Sequence, residues 1–182
     1  MVLKKKENTK SRKVFFTSDT HFSHSRIIQY CNRPFSSVDE MNETIITNWN
    51  NVITPNDTVF HLGDFGFGTE DEMATIKSRL NGKIEFIFGS HDKSVKRLFL
   101  PYRLMFEAVI EGQQITLCHY AMKTWKASYR GSWHLFGHSH GRLEVDNHTM
   151  AYDVGVDTNN FTPVSFARIK DIMSRKEFKP VG

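Results

Sequence analysis

Five short segments of the 182-residue sequence contain the acidic and imidazole side chains that bind divalent metal ions. They are Asp19-Thr-His21, Gly63-Asp64, Gly89-Ser-His91-Asp92, Cys118-His119 and Gly137-His138-Ser-His140. Carboxylate oxygen and imidazole nitrogen together suit borderline ions such as Mn, Fe(II), Zn, Co or Ni. One such segment is weak evidence, because a single Gly-Asp is usually a turn and a single histidine is usually structural. All five in one chain predict a site for two metal ions.

The spacing of the ligands also favours a shared site. In an extended strand, residues i and i+2 point to the same side. Asp19 with His21, and His138 with His140, could therefore each reach one metal centre. An aspartate can bridge two ions, and a glycine before a ligand lets the backbone turn and approach closely.

Hydrophobic periodicity predicts the elements that position these segments. Capping-box patterns begin helices after Ser37 and Thr69, Asn81-Gly82 ends the second helix, and Glu111-Gly112 forms a hairpin turn. The predicted strands are 14–17, 58–62, 84–88, 105–110, 114–118, 133–136 and 151–156, and a closing helix runs from 165 to about 176. The order predicts an α/β fold, a two-sheet β-sandwich flanked by helices, in which ligands bind beyond the carboxyl ends of strands.

This series of motifs resembles the calcineurin-like metallophosphoesterase family, whose pattern is DxH, GDx, GNHD, a lone His and GHxH. The resemblance runs from about Val14 to Ile172. It is strongest to small uncapped bacterial and phage members, in which SDTHFSH, NRPF, HLGDF, CHYAM, GSWHLFGHSHG and DVGVD recur in similar form. It implies a four-layer αββα fold and a dinuclear phosphodiesterase or phosphatase, with manganese favoured and a metal-bridging hydroxide that attacks phosphorus in line.

The resemblance also implies roles for individual residues. The family's ligand sets would be Asp19, His21, Asp64 and His140 for one ion, and Asp64, Ser90, His119 and His138 for the other, with Asp64 as the bridge. His91 would be the transition-state donor or general acid, oriented by Asp92. The family has Asn where this chain has Ser90, so the second ion is expected to bind poorly or to gain a water there.

Several other side chains are candidates for contacts around this site. His24, Arg26 and Arg33 are predicted to bind substrate. The alternative for His24 is a solvated loop histidine. The alternative for the two arginines, and for Lys123 and Arg130, is an ordinary surface charge. Tyr120, Trp125 and Trp133 would wall the pocket or belong to the core. Asp153 and Asp157 would orient a ligand histidine or serve turns. A chain of this length leaves little room for a cap, which favours small phosphodiesters, cyclic nucleotides or exposed ends.

Composition excludes several classes of protein. Hydrophobic residues make up 39% and aromatic residues 13% of the chain, which is a globular composition. No run approaches the roughly 18 apolar residues of a membrane helix, and the N-terminus lacks the apolar core of a secretory signal. Cys31 and Cys118 form no CxxC pair, so free thiols and a cytoplasmic location are expected. Neither GxSxG nor a P-loop is present.

Charge is concentrated at the N-terminus. The net charge is +4, yet residues 1–13 contain six bases and one acid. We therefore expect residues 1–12 to be a basic flexible tail and 13–182 to be one phosphoesterase domain. Nucleic acid is an allowed but not favoured partner, and the tail is the only cue for a nuclease. A metal-poor or non-catalytic interaction module on the same fold, as in the retromer subunit that resembles these enzymes, is the other alternative, and His91 argues against it.

Overall fold

Two four-stranded β-sheets form the centre of the protein, which a computed structural model describes for residues 12–180. The first sheet contains β1 Val14–Thr17, β2 Thr58–His61, β3 Lys83–Phe86 and β8 Val164–Ser165, in the order β3-β2-β1-β8. The first three strands are parallel, and β8 pairs antiparallel with β1. The parallel strands therefore bring their carboxyl ends to one edge of the sheet.

The second sheet contains β4 Met105–Ile110, β5 Gln113–Cys118, β6 Trp133–Phe136 and β7 Ala151–Asp153, in that order. Strands β4 and β5 form an antiparallel hairpin, whereas β5, β6 and β7 are parallel. The turn residues Glu111 and Gly112 have φ of 49° and 82°, the left-handed conformations that a tight hairpin requires. The predicted hairpin is confirmed.

Within residues 12–180, four α-helices accompany the sheets: α1 Ser25–Tyr30, α2 Val38–Val52, α3 Glu70–Ser78 and α4 Phe166–Ser174. Thr69 and Glu72 form the predicted capping box at the start of α3. At α2, Ser37 accepts the N–H of Glu40 as predicted. The Glu40 carboxylate instead accepts the backbone N–H and the hydroxyl of Ser36, so the reciprocal half of that box is not formed.

The hydrophobic core lies on both faces of the first sheet. On the outer face, Phe15, Val59 and Phe86 belong to one buried cluster with side chains of α2 and α3, such as Trp49 and Met73. On the inner face, residues of both sheets and of α4 form a second cluster, which includes Phe16, Leu62, Leu117, Leu135 and Ile169. The predicted two-sheet sandwich flanked by helices is therefore confirmed.

Some element boundaries differ from the prediction. Strand β3 ends at Phe86 rather than at residue 88, because the Phe88 N–H bonds to the Arg103 carbonyl outside the sheet. Strand β7 ends at Asp153 rather than at residue 156. The prediction missed β8 and α1, and α1 carries no side-chain cap that could have marked its start.

The predicted basic tail lies almost entirely outside the residues that the structure describes. Of the predicted tail 1–12, only Arg12 is among the described residues, and its Nε donates to the Thr58 hydroxyl at 2.6 Å. Across residues 12–180, no helix combines the length and apolar character needed to cross a membrane.

Candidate metal centre

Six predicted ligands lie in two adjacent groups beyond the carboxyl ends of the strands. Each group has its ligand atoms within 4.8 Å of one another, one with Asp19, His21 and His140, the other with Asp64, His119 and His138. Asp64 Oδ2 lies 3.7 Å from His21 Nε2 and 3.5 Å from His119 Nε2. Asp64 therefore occupies the place where one carboxylate can serve both groups.

The ligand segments are turns rather than extended strands. Asp19, His21 and Asp64 have φ of 58°, 49° and 56°, and His138 and His140 have φ of 65° and 49°. The expectation that DxH and HxH are extended is therefore wrong. Asp19 and His21 do share one group, whereas His138 and His140 lie in different groups. Left-handed conformations at non-glycine residues cost roughly 1–3 kcal/mol each and cluster at functional sites.

Two glycines allow the loops to approach the ligands. A Cβ built on Gly89 would overlap the carboxylate of Asp64, and one built on Gly137 would overlap Ser18 and the carboxylate of Asp19. A side chain at either position would displace a ligand carboxylate, so the predicted role of glycine in close packing is confirmed at these two positions.

Hydrogen bonds fix the orientation of two imidazoles. His119 Nδ1 lies 2.8 Å from the Leu62 carbonyl, and His140 Nδ1 lies 2.7 Å from Asp157 Oδ2. Because these acceptors require a proton on Nδ1, the neutral form of each ring has Nε2 unprotonated, as a metal ion needs. Asp157 thus orients a ligand histidine, one of its two expected roles. Asp153 serves turns, since it accepts the backbone N–H groups of residues 141 and 155.

The buried polar atoms of the first group fit a cation. Among the described residues, Asp19 Oδ1 and both ring nitrogens of His21 are buried without a hydrogen-bond partner. An unsatisfied buried polar group costs about 1–3 kcal/mol, which a coordinated divalent ion would offset. Burial raises the pKa of Asp19 to about 7 and lowers the pKa of His21, so the histidine is neutral, as a ligand must be.

The shared carboxylate remains ionised despite its burial. Burial acts to raise the pKa of Asp64, but the hydrogen bond and charge of His119, together with the N–H of His91, lower it overall. A negative carboxylate between two groups of ligands favours cation binding.

Asp92 was predicted to orient the His91 ring, but its carboxylate instead binds backbone N–H groups of the loops. Its Oδ2 accepts the N–H groups of Asp64 and Gly89, both at 2.7 Å, and its Oδ1 accepts that of Phe65 at 2.8 Å. The exposed His91 is anchored through its own backbone, whose N–H donates to Asp64 Oδ1 at 2.9 Å. Asp92 therefore shapes the segment that carries the shared ligand.

Ser90 lies beside the shared carboxylate. It is exposed, and its hydroxyl donates to the two oxygens of Asp64 at 3.2 and 3.4 Å. The hydroxyl is thus at the edge of the second group, and its service as a metal ligand stays a prediction.

The three predicted substrate contacts differ in their surroundings. His24 is half-buried at the rim, with its ring centroid 5.7 Å from that of His21, and Arg26 is exposed on α1. Arg33 is buried, and its guanidinium bonds to Asp157 and to backbone carbonyls. It is not available to a substrate in solvent, so its predicted role is wrong.

Aromatic residues flank the centre on two sides. Tyr120 is exposed, with ring centroids 4.9 Å from His119 and 4.8 Å from His138, whereas Trp125 and Trp133 are buried in the core. The sequence analysis missed Phe67, a partly exposed ring 4.1 Å from His24 and 4.9 Å from His91. Nothing in its local sequence separates it from the fully buried Phe65.

Cys31 lies near one predicted ligand, and its thiolate is disfavoured in the metal-free protein. Its sulfur, His140 and Asp157 offer atoms within 4.8 Å of one another. Burial, and next the charge of Asp157, raises the pKa of the thiol, so the metal-binding thiolate is disfavoured. Cys31 and Cys118 are both half-buried free thiols, as expected.

The fold and the two ligand groups define a metallophosphoesterase-like protein. The profile of the calcineurin-like phosphoesterase superfamily domain matches residues 13–157, and the chain belongs to that superfamily.

The chain is also similar to individual proteins. The chain is 36% identical over 174 residues to the uncharacterized protein MJ1445 of Methanocaldococcus jannaschii, covering 90% of this chain and 93% of that one. It is 30% identical over 110 residues to the gene 66 protein of Mycobacterium phage L5, covering 56% and 53%. The crystal structure of AQ665 from Aquifex aeolicus, a protein of unknown function, shares the fold, with a TM-score of 0.67, 24% identity and coverage of 88% and 99%.

Proposed function

We propose that the protein is a dinuclear-metal-dependent hydrolase of small phosphoesters, with Mn(II) as the favoured ion. The observation that carries this proposal is the presence of two adjacent ligand groups, with His21 of one and His119 of the other both within 3.7 Å of the Asp64 carboxylate. When bound, two divalent ions would neutralise charge on the phosphoryl oxygens and make an attacking water more acidic.

The protein residues divide the work of holding the ions. Asp19, His21 and His140 would hold one ion, and His119 and His138 the other. The Asp64 carboxylate would serve both, while Ser90 would add a weak neutral oxygen to the second set. The orphaned atoms of Asp19 and His21 support this division, because buried polar groups of this kind are rarely left unpaired.

His91 is the residue best placed to move a proton. It is exposed beside the buried ligands, with its ring centroid 6.0 Å from that of His21. Its backbone bond to Asp64 ties its position to the shared carboxylate. The imidazolium would give its proton to the leaving oxygen as the bond from phosphorus to that oxygen breaks.

The exposed rim favours substrates that reach an open surface. Ser90, His91 and His138 are all exposed, and Arg26 adds a positive charge on the neighbouring helix. Small phosphodiesters, cyclic nucleotides and exposed nucleic-acid ends have the anionic, accessible phosphorus that this arrangement suits.

A metal-poor interaction module on the same fold is the alternative. Buried, unpaired ligand atoms would cost such a module stability without serving it. The second alternative, a nuclease, depends on the basic tail at residues 1–12, of which only Arg12 is among the described residues.

A substrate panel separates these functions. Protein stripped of metal and reconstituted with Mn(II), Ni(II) or Mg(II) would be assayed on bis-p-nitrophenyl phosphate, p-nitrophenyl phosphate, cyclic nucleotides and single-stranded DNA. We expect metal-dependent hydrolysis of at least one small ester. Little or no bound metal, together with no turnover on any substrate, would favour the interaction module. Activity on DNA that is lost on deletion of residues 1–13 would favour the nuclease.

A further inference from the structure

The guanidinium of Arg33 is buried and fully hydrogen-bonded. Its side chain has no exposed area, and each of its three nitrogens has a partner. Nε and Nη2 donate to the two oxygens of Asp157 at 2.8 and 2.9 Å, which is a bidentate pair. Only an arginine offers this rigid fork of five N–H donors.

The same guanidinium binds the backbone of the first ligand segment. Nη2 donates to the Asp19 carbonyl at 2.7 Å, and Nη1 donates to the Thr20 carbonyl at 3.0 Å. These carbonyls belong to the turn in which Asp19 and His21 adopt left-handed conformations. Arg33 therefore supplies the donors that this buried turn needs.

Asp157 extends the contact to the other ligand of the same group. Its Oδ2 accepts from Arg33 and lies 2.7 Å from His140 Nδ1. One buried arginine is thus joined to Asp19 and Thr20 directly and to His140 through one carboxylate. All three ligands of the first group, Asp19, His21 and His140, lie in segments that this network holds.

The second ligand group is organised by different residues. His119 bonds to the Leu62 carbonyl, and the Asp64 segment is held by Asp92. Arg33 makes none of these bonds within residues 12–180. The two halves are in contact, since the His138 N–H donates to Asp19 Oδ2 at 2.9 Å and the His21 N–H donates to the Asp64 carbonyl at 3.0 Å. The direct bonds of Arg33, however, go to the first half and to Asp157.

We propose that Arg33 is a positioning residue that sets the geometry of the Asp19–His21–His140 half of the centre, and not that of the Asp64–His119–His138 half. This inference rests on the proposed metal-dependent function. It replaces the expectation that Arg33 binds substrate, because every donor is directed at the protein.

The proposal predicts a selective loss of metal affinity. Lysine keeps the charge but cannot form the fork, so Arg33→Lys should weaken ion binding by about 10- to 100-fold, as is typical when a partner of a ligand is removed. Selectivity is tested in two backgrounds by Mn(II) titration calorimetry. In the His138→Ala background, where the first group is left intact, Arg33→Lys should weaken the binding of Mn(II) to that first group. In His140→Ala, where the second group is left intact, it should change the remaining affinity by less than twofold.

A control variant excludes general loosening of the fold. Asp57 is buried immediately before β2, at the end of that strand away from the ligands, where it accepts the N–H groups of Lys13 and Thr54. Asp57→Asn replaces one of the two acceptor oxygens without touching either ligand group. Asp57→Asn should leave both affinities unchanged. Asp157→Asn disrupts the same network at its other end and should reproduce the selectivity of Arg33→Lys. If Arg33→Lys does not fold, Asp157→Asn takes its place in the test.

The outcomes are distinct. Equal weakening in both backgrounds, or no weakening in either, would overturn the positioning role of Arg33. Parent protein that binds no ion would contradict the proposed function itself, before any variant is compared.

Discussion

The backbone N–H of Asp64 donates a 2.7 Å hydrogen bond to the carboxylate of Asp92. The same carboxylate accepts the N–H groups of Phe65 and Gly89, so one buried side chain joins the loops after β2 and β3. Asp92, the residue that follows His91 in the sequence, thereby fixes the backbone of Asp64, whose carboxylate lies near His21 of one ligand group and His119 of the other.

Asp92→Ala should therefore destabilise the protein and reduce metal content. Three buried N–H groups lose their acceptor, and each unpaired group costs about 1–3 kcal/mol. Urea unfolding of the metal-free protein would give the loss in free energy of unfolding. Asp92→Asn, which keeps one acceptor oxygen, should lose less. An alanine variant as stable as the parent would show that these bonds do not support the loop.

His91→Ala should lower turnover and leave metal content nearly intact. A general acid typically contributes about 10²–10⁴-fold, and His91 contacts the ligand group only through its backbone N–H. The loss should be smaller for esters with good leaving groups, which need no proton. Parallel metal analysis is the control, since loss of an ion in this variant would make His91 a ligand instead.

Ser90→Asn should raise activity, metal affinity at the second group, or both. The serine hydroxyl now donates to Asp64, whereas an asparagine carbonyl reaches further and its amide could donate to a phosphoryl oxygen. A preorganised donor of this kind can contribute about 10²-fold or more in rate. Mn(II) titrations with turnover measured at each point test this. Superimposable curves for parent and variant would mean that residue 90 has no ligand role.

His61 should make the metal-free protein less stable in acid. Its Nδ1 accepts the Gly63 N–H, its Nε2 lies 3.0 Å from the Thr20 hydroxyl, and burial lowers its pKa from 6.5 to about 3. Between these values the unfolded chain binds the proton and the folded chain does not, so stability falls as pH falls from about 6.5 towards 3.

Unfolding midpoints in urea between pH 7 and 4, measured with a chelator present, would show this dependence. His61→Gln should flatten it relative to the parent, because glutamine does not titrate. Parallel curves for the two proteins would assign the acid sensitivity to other groups.

The sequence predicted which candidate ligands come together because the evidence for them is local. Each of Asp19, Asp64, His119 and His138 follows a strand whose apolar pattern is readable, and parallel strands end at one edge. The α2 and α3 helices were equally readable, since their caps and apolar faces are short-range features.

Long-range and conformational features were not readable. The left-handed φ values of the aspartate and histidine ligands could not be predicted from the residue type. Arg33, in a polar turn before a proline, has the local sequence of a surface charge, and its principal partner Asp157 is 124 residues away. Only the fold brings that pair together, which is why the substrate-binding prediction for Arg33 was wrong.

Metal content and turnover of the full chain reconstituted with Mn(II), compared with those of Asp64→Ala, test the central claim most directly. We expect the parent to bind up to two ions and to hydrolyse bis-p-nitrophenyl phosphate only when metal is present. Asp64→Ala should weaken the binding of both ions and lose more activity than either His138→Ala or His140→Ala, because the Asp64 carboxylate lies near His21 of one group and His119 of the other. Near-parental turnover in Asp64→Ala would contradict the proposal that Asp64 serves both ligand groups. A parent protein with neither bound metal nor metal-dependent activity would contradict the proposal that the protein is an enzyme.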